Sequence, residues 1–144
     1  MAIKVKSTLG IRVEKKSYPA ASGEFENLNP GMVVAYTANG VTRAEKTNAG
    51  GGTHVGYPTL VVLSKGGSGK VLEDLSSYSV VVLLGNSYVI EVDSGQCNSA
   101  LTVGNLVSVS GGKFQNAGAS DEAVGQCIAT RTVGGTTYYD ILIK

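Results

Sequence analysis

The residues able to do chemistry in this 144-residue chain are few and scattered. Lys70 follows the glycine run Gly66-Gly67-Ser68-Gly69, as the lysine of a phosphate-binding loop does. Such a loop needs a first glycine where Ser64 stands, and a Ser or Thr for Mg²⁺ where Val71 stands, so the stretch reads as a flexible linker. His54, the single histidine, lies near no Ser or Cys in a nucleophile context. It reads as an exposed or singly hydrogen-bonded side chain rather than a general base. Glu73-Asp74 and Asp121-Glu122 are adjacent carboxylates, and neighbouring strand residues point to opposite faces, so neither pair is a shared acid–base site. Asp121-Glu122 after Ser120 fits better as the N-cap and acidic first turn of a short helix. Cys97 and Cys127 with one histidine are too few for a structural zinc site. Two reduced thiols are the plain reading and a disulfide is the alternative. No catalytic residue, cofactor or metal ligand is expected.

The tyrosines are the remaining candidates. Tyr36, Tyr138 and Tyr139 could stack on bases or sugars, as aromatic side chains of β-barrel binding surfaces do. Nucleic-acid readers carry a basic patch on the folded body, however, and this body is net acidic. Core edges and subunit interfaces suit these rings better.

The elements that would position such residues are strands. Charged residues make up only 16% of the chain, and its 20 glycines suit many tight turns with positive φ. No apolar run approaches the ~18 residues that span a bilayer. The N-terminus lacks the apolar core of a signal peptide, so the chain reads as made in the cytosol.

The stretch from Leu101 to Arg131 organises the rest. It holds a strand Asn105–Ser110, a Gly111-Gly112 reversal, a return through Lys113-Phe114-Gln115, a small-residue crossover and a strand Val124–Thr130. An earlier stretch is laid out alike. Asn29-Pro30-Gly31 is a turn, Met32–Thr37 a strand, Asn39-Gly40 a type I′ hairpin signal, Val41–Ala44 the return, and Leu60–Leu63 a further apolar run. Corresponding glycines and valines are 73 residues apart at the start and 69 at the end. Two related β-units at about 30–64 and 103–131 are therefore expected. Val71–Tyr78 allows a helical turn or two. Val80–Leu84 and Tyr88–Val92 read as a hairpin about Gly85-Asn86-Ser87, and Tyr138–Ile143 as a last strand after Gly134-Gly135.

The N-terminus differs in character. Ile3, Val5, Leu9, Ile11 and Val13 alternate with Lys4, Lys6 and Arg12, the pattern of a half-buried strand. Residues 1–16 carry five basic side chains against Glu14 alone, or +4, which leaves −3 on the rest. Such asymmetry marks a docking tail. Residues 15–29 read as a loop or linker. The first strand can pack on its own body or add to a neighbour's sheet edge. The division is then an arm and linker, 1–29, and one β domain, 30–144.

Val103 onward, with Gly104-Asn105-Leu106-Val107, Gly112-Lys113-Phe114, Ala117 to Ala119 and Ala123-Val124-Gly125-Gln126, resembles the decoration (cement, head-stabilising) proteins of tailed bacteriophage capsids. Gly31-Met32-Val33-Val34 and Val55-Gly56 echo it, although Asn105 and Met32 replace the acidic residue common after that glycine. The resemblance implies an all-β, small compact β-barrel or β-tulip-like domain with an extended N-terminal arm and at most one or two short helices. It implies a non-enzymatic protein on the outer capsid surface of the virion. Its partners would be the major capsid protein and itself, as a homotrimer or other homo-oligomer, with no nucleic acid or membrane. The capsid-interface candidates are Ile3, Lys4, Val5, Lys6, Leu9, Ile11, Arg12 and Val13. Other readings are a β-barrel module binding carbohydrate or oligonucleotide through its tyrosines, and a fibre or baseplate component.

Overall fold

The computed structural model describes residues 3–7, 14–45, 60–65, 79–84 and 88–143. Within them the chain is all-β, with no helix of seven or more residues. Eleven strands follow one another: β1 (Lys4–Ser7), β2 (Glu14–Pro19), β3 (Val33–Thr37), β4 (Gly40–Arg43), β5 (Leu60–Lys65), β6 (Ser79–Leu84), β7 (Tyr88–Asp93), β8 (Leu106–Ser110), β9 (Lys113–Asn116), β10 (Gly125–Val133) and β11 (Thr136–Ile143). They form a six-stranded sheet, β1-β7-β11-β10-β8-β9, and a five-stranded sheet, β2-β6-β5-β3-β4.

Glycine chemistry sets several reversals. Gly111-Gly112 and Gly134-Gly135 are two-residue loops with φ of +58°, +80°, +57° and +82°, as type I′ turns require. The hairpin β3–β4 departs from expectation. Thr37 pairs with Gly40, so Ala38-Asn39 forms the turn and Gly40 opens the returning strand. Gly40 is needed for another reason: a Cβ there would lie 2.6 Å from the Pro19 carbonyl oxygen, because the chain leaving β2 crosses it.

Three other expectations fail. Residues 14–19 are strand β2 rather than linker, fixed by a six-pair ladder to β6 that outweighs weak local propensity. Val80–Leu84 and Tyr88–Val92 are not a hairpin. β6 lies between β2 and β5 while β7 lies between β1 and β11, so the chain changes sheets there. Asp121 caps no helix. Its carboxylate holds a turn by accepting the Gly118 N–H at 2.9 Å and the Ser108 hydroxyl at 2.7 Å. Val71–Tyr78, with Glu73-Asp74, His54 and residues 66–70, lies outside the described residues.

The two sheets are one design used twice. β2, β3, β4, β5 and β6 correspond in turn to β7, β8, β9, β10 and β11. The five strands take the same spatial order in each sheet, and β1 is an addition at the β7 edge. The registers agree pair by pair. Glu14↔Leu84 through Pro19↔Ser79 matches Tyr88↔Ile143 through Asp93↔Tyr138, and Val34↔Leu60 matches Val107↔Gly125. A register shift falls between Val62 and Ser64 in the first unit and between Cys127 and Ala129 in the second, at the same place in the ladder. The turn before the second strand is also shared. Met32 N–H donates to the Asn29 carbonyl at 3.1 Å, and Asn105 N–H to the Thr102 carbonyl at 3.0 Å.

Each unit curls. Ala20, just past β2 at one edge, bridges Val41 of β4 at the other, and Cys97 bridges Phe114 in the same way. A single bridge is not a ladder, so the all-β domain is two curled sheets and not a closed barrel. Inside the first curl, Val34, Val41, Val62, Val80 and Val82 pack beneath Leu28, Met32 and Phe25. A larger cluster joins the inside of the second curl (Val107, Phe114, Cys127, Ile141, beneath Leu101) to the outer face of the first unit, Val33, Ala35, Ala44, Val61 and Leu83. β3 and β5 thus serve two cores with alternate side chains. Apolar runs without alternation, MVV and LVVL, are the sequence of strands buried on both faces.

The units are joined through the mouth of the second. Gly112 enters the frayed end of β3–β4: its N–H donates to the Ala44 carbonyl and its carbonyl accepts the Val33 N–H, both at 2.9 Å. The Glu45 carboxylate takes the Gly111 N–H and the Ser110 hydroxyl, each at 3.1 Å. Buried Gln96 donates its amide to the Pro30 carbonyl at 2.8 Å.

The shared turn yields a paired test. Gly31 and Gly104 hold the same position with φ of +88° and +94°. A Cβ on Gly104 meets nothing within 4 Å, whereas on Gly31 it falls 2.5 Å from the Gln96 amide nitrogen and 2.9 Å from Ile3 Cγ2. Gly104→Ala is expected to cost only the left-handed backbone penalty, about 1–2 kcal/mol. Gly31→Ala is expected to cost clearly more, because it also wedges the two units apart. Urea unfolding of both variants measures the difference.

Candidate interaction surfaces

Of the eight capsid-interface candidates, Ile3, Lys4, Val5 and Lys6 fall in the described residues, and Leu9, Ile11, Arg12 and Val13 lie outside them. The first four dock on the chain's own body. Lys4 pairs across from Glu91 and Val5 across from Ile90, with a register shift before Ser7. Ile3 packs against the larger core. Val5 stays 36% exposed, so the apolar stripe read from the alternation is only partly covered. β1 is the outermost strand of its sheet.

The basic side chains of this strand meet an acidic pair on the outer face of the second unit. The Lys6 ammonium lies 3.0 Å from Asp140 and 3.7 Å from Glu91. Arg131 donates from Nε and Nη2 to Glu91 Oε2 at 3.1 and 2.7 Å. Its guanidinium also stacks over Tyr138, 4.6 Å from the ring centre. These hydrogen bonds hold the Glu91 carboxyl below the usual glutamate range, against a smaller opposing effect of burial. The sequence reading missed this network. Its signal was present: Glu91 interrupts the apolar run Tyr88–Val92 at a position facing away from the core.

Tyr138 therefore engages Arg131, and Tyr139 is a core side chain, 5% exposed. Tyr36 alone among the described tyrosines is exposed, at 42%. It meets Tyr18 edge-on with ring centres 5.2 Å apart. Tyr36 lines an open groove of about 620 Å³ at the mouth of the first unit, walled by Pro19–Gly23, Phe25, Glu26 and Ala38–Gly40. On the second unit, Val103 and Leu106 stand out from the turn and strand that carry the sequence resemblance, at 48% and 56% exposure.

Cys97 and Cys127 are both free. Burial, with a smaller push from Asp93, raises the Cys97 thiol to about 12. Burial also raises Cys127. Neither is poised as a nucleophile, since the reactive form is the thiolate. Among the described residues no group of three or more His, Cys, Asp or Glu could hold a metal ion. Nor is any helix there long and apolar enough to cross a membrane. Compared with protein-family models, curated proteins and solved structures, the chain matches none.

Two outcomes follow. Glu91 is depressed in the folded state, so its pairing contributes stability above the unfolded glutamate pKa, and this is lost as pH falls through the lower folded value. Glu91→Gln should remove that part of the acid loss, giving a flatter stability profile below pH ~4.3 in denaturant titrations. The thiols should react with Ellman's reagent at pH 8 far more slowly in native protein than in denatured protein. A fast native phase contradicts the burial of Cys97 and Cys127.

Proposed function

We propose that this chain is a non-enzymatic structural protein that binds the outside of an expanded phage capsid and clamps neighbouring major capsid subunits. The observation that carries the reading is the placement of the N-terminal segment. A basic, alternating strand lies at the rim of a six-stranded sheet, with its outer backbone edge unpaired among the described residues. Such an edge takes up an added strand through main-chain hydrogen bonds. Lys6 is already paired with Asp140 and Glu91, so the open backbone edge rather than the charge is the contact offered to the lattice. The sequence resemblance to decoration proteins lies mainly in β8–β10 and supports the same reading. The mechanism is linkage: a protein that binds only the expanded lattice stabilises it by its binding free energy, repeated over many copies. No bond is made or broken.

The groove at Tyr36 gives a second reading, a module that stacks sugar rings or bases. Glu26 lines it, which disfavours an oligonucleotide and leaves a glycan as its ligand.

Co-sedimentation with expanded, undecorated capsids tests the first reading, using the full chain and a deletion of residues 2–12 that stops short of β2. Full-length protein is expected to pellet with the capsids and the deletion to stay in the supernatant. Absence of full-length binding sinks the capsid reading for that lattice. Equal binding by both moves the interface from the N-terminal strand to the body.

A further inference from the structure

The internal duplication identifies two surfaces that complement each other. In the second unit the mouth of the curl is filled: Ser110, Gly111 and Gly112 grip Glu45, Ala44 and Val33 of the first unit, and Gln96 grips Pro30. By register, Tyr36 occupies the position of Val109, and Ala38-Asn39 that of Gly111-Gly112. The mouth of the first unit is thus the open groove beside Tyr36, where the second unit has Val109 fully buried in the junction cluster. The inserted element has an open counterpart too. Val33 corresponds to Leu106 and Pro30 to Val103. Val33 is fully buried in the junction, whereas Leu106 and Val103 are 56% and 48% exposed.

We propose that a second copy of this chain docks its Val103–Leu106 turn into the Tyr36 groove, an apolar contact at the place of the inner junction, with Asn39 and Gly118 standing where that junction has Gly112 and Glu45. The occupant follows from the geometry on both sides. The groove is the vacant equivalent of a mouth known to accept this turn-and-strand element. The only described element of that construction left uncovered is the one at Val103–Leu106. Burying Tyr36 and Leu106 removes the two large apolar side chains most displaced from their buried equivalents. The contact joins unlike surfaces, so it propagates head to tail, giving a ring where the rotation closes and a filament where it does not. This inference does not depend on the capsid reading.

Sedimentation velocity over a concentration series tests it with Tyr36→Glu and Leu106→Glu. Both sites are exposed, and circular dichroism confirms that each variant folds. Wild-type protein is expected to self-associate, and each variant alone to sediment as a monomer. An equimolar mixture of the two is expected to form a two-chain species, because each variant keeps the surface the other has lost. A wild type that stays monomeric up to millimolar concentration overturns the proposal. So does a mixture that stays monomeric, or self-association by Tyr36→Glu alone, which would mean that Leu106 meets its own copy. If wild type stays monomeric while a glycan panel shifts the Tyr36 resonances, the groove belongs to a sugar instead.

Discussion

The fold depends on one peptide, that of Gly112. Its N–H and carbonyl enter between Ala44 and Val33, where the β3–β4 hairpin would otherwise close on itself, and satisfy both backbones at 2.9 Å. Each such bond is worth about 1 kcal/mol net, but leaving buried backbone groups unpaired costs more. The position admits little beyond glycine, since φ is +80° and a Cβ would lie 3.2 Å from the Val33 carbonyl oxygen. Once Gly112 is seated, the outer valines of the first unit face the inside of the second, and one apolar cluster runs through both.

What the sequence disclosed follows the range of the forces involved. Reversals at Gly111-Gly112 and Gly134-Gly135 were legible because a two-residue turn is decided by its own φ angles. The spacing of glycines and valines suggested units at about 30–64 and 103–131, bounds that leave out β2, β6, β7 and β11, and the shared registers and shared register shift are facts of backbone pairing, invisible to thin identity. β2 was missed because its order comes from β6, distant in the chain, and its own residues EKKSYP favour no strand. The false hairpin at 85–87 has the reverse cause: a good local turn signal joined two strands whose ladders lie in different sheets. Of the candidate surfaces, the alternation at residues 3–6 was readable. The acids that receive Lys6 come from β7 and β11, so only the folded chain brings them together.

That meeting changes the meaning of the charge pattern. Counted along the sequence, the N-terminus is a basic tail on an acidic body. In space, Lys6 and Arg131 are set against Glu91 and Asp140, with Tyr138 beneath the guanidinium. The local field over this face is therefore far weaker than the tally of residues 1–16 suggests, and surface pairs of this kind contribute modestly. The strand is oriented by these pairs and anchored by Ile3.

Two units with identical register have a kinetic consequence. While the chain is collapsing, β6 presents the hydrogen-bonding pattern that β7 needs from β11, and β10 presents the pattern that β3 needs from β5. Each strand therefore meets a decoy in its own molecule, the condition for misassembled or domain-swapped products in repeat proteins. Divergence at equivalent sites discriminates between them: Lys15-Lys16 stand where the second unit has Val89-Ile90, and Ser108 where the first has Ala35. A mispaired chain would bury Lys16 in the larger core, at the place of Ile90, at high free-energy cost. The unequal distribution of lysine between the two halves acts as a proofreading device for the topology.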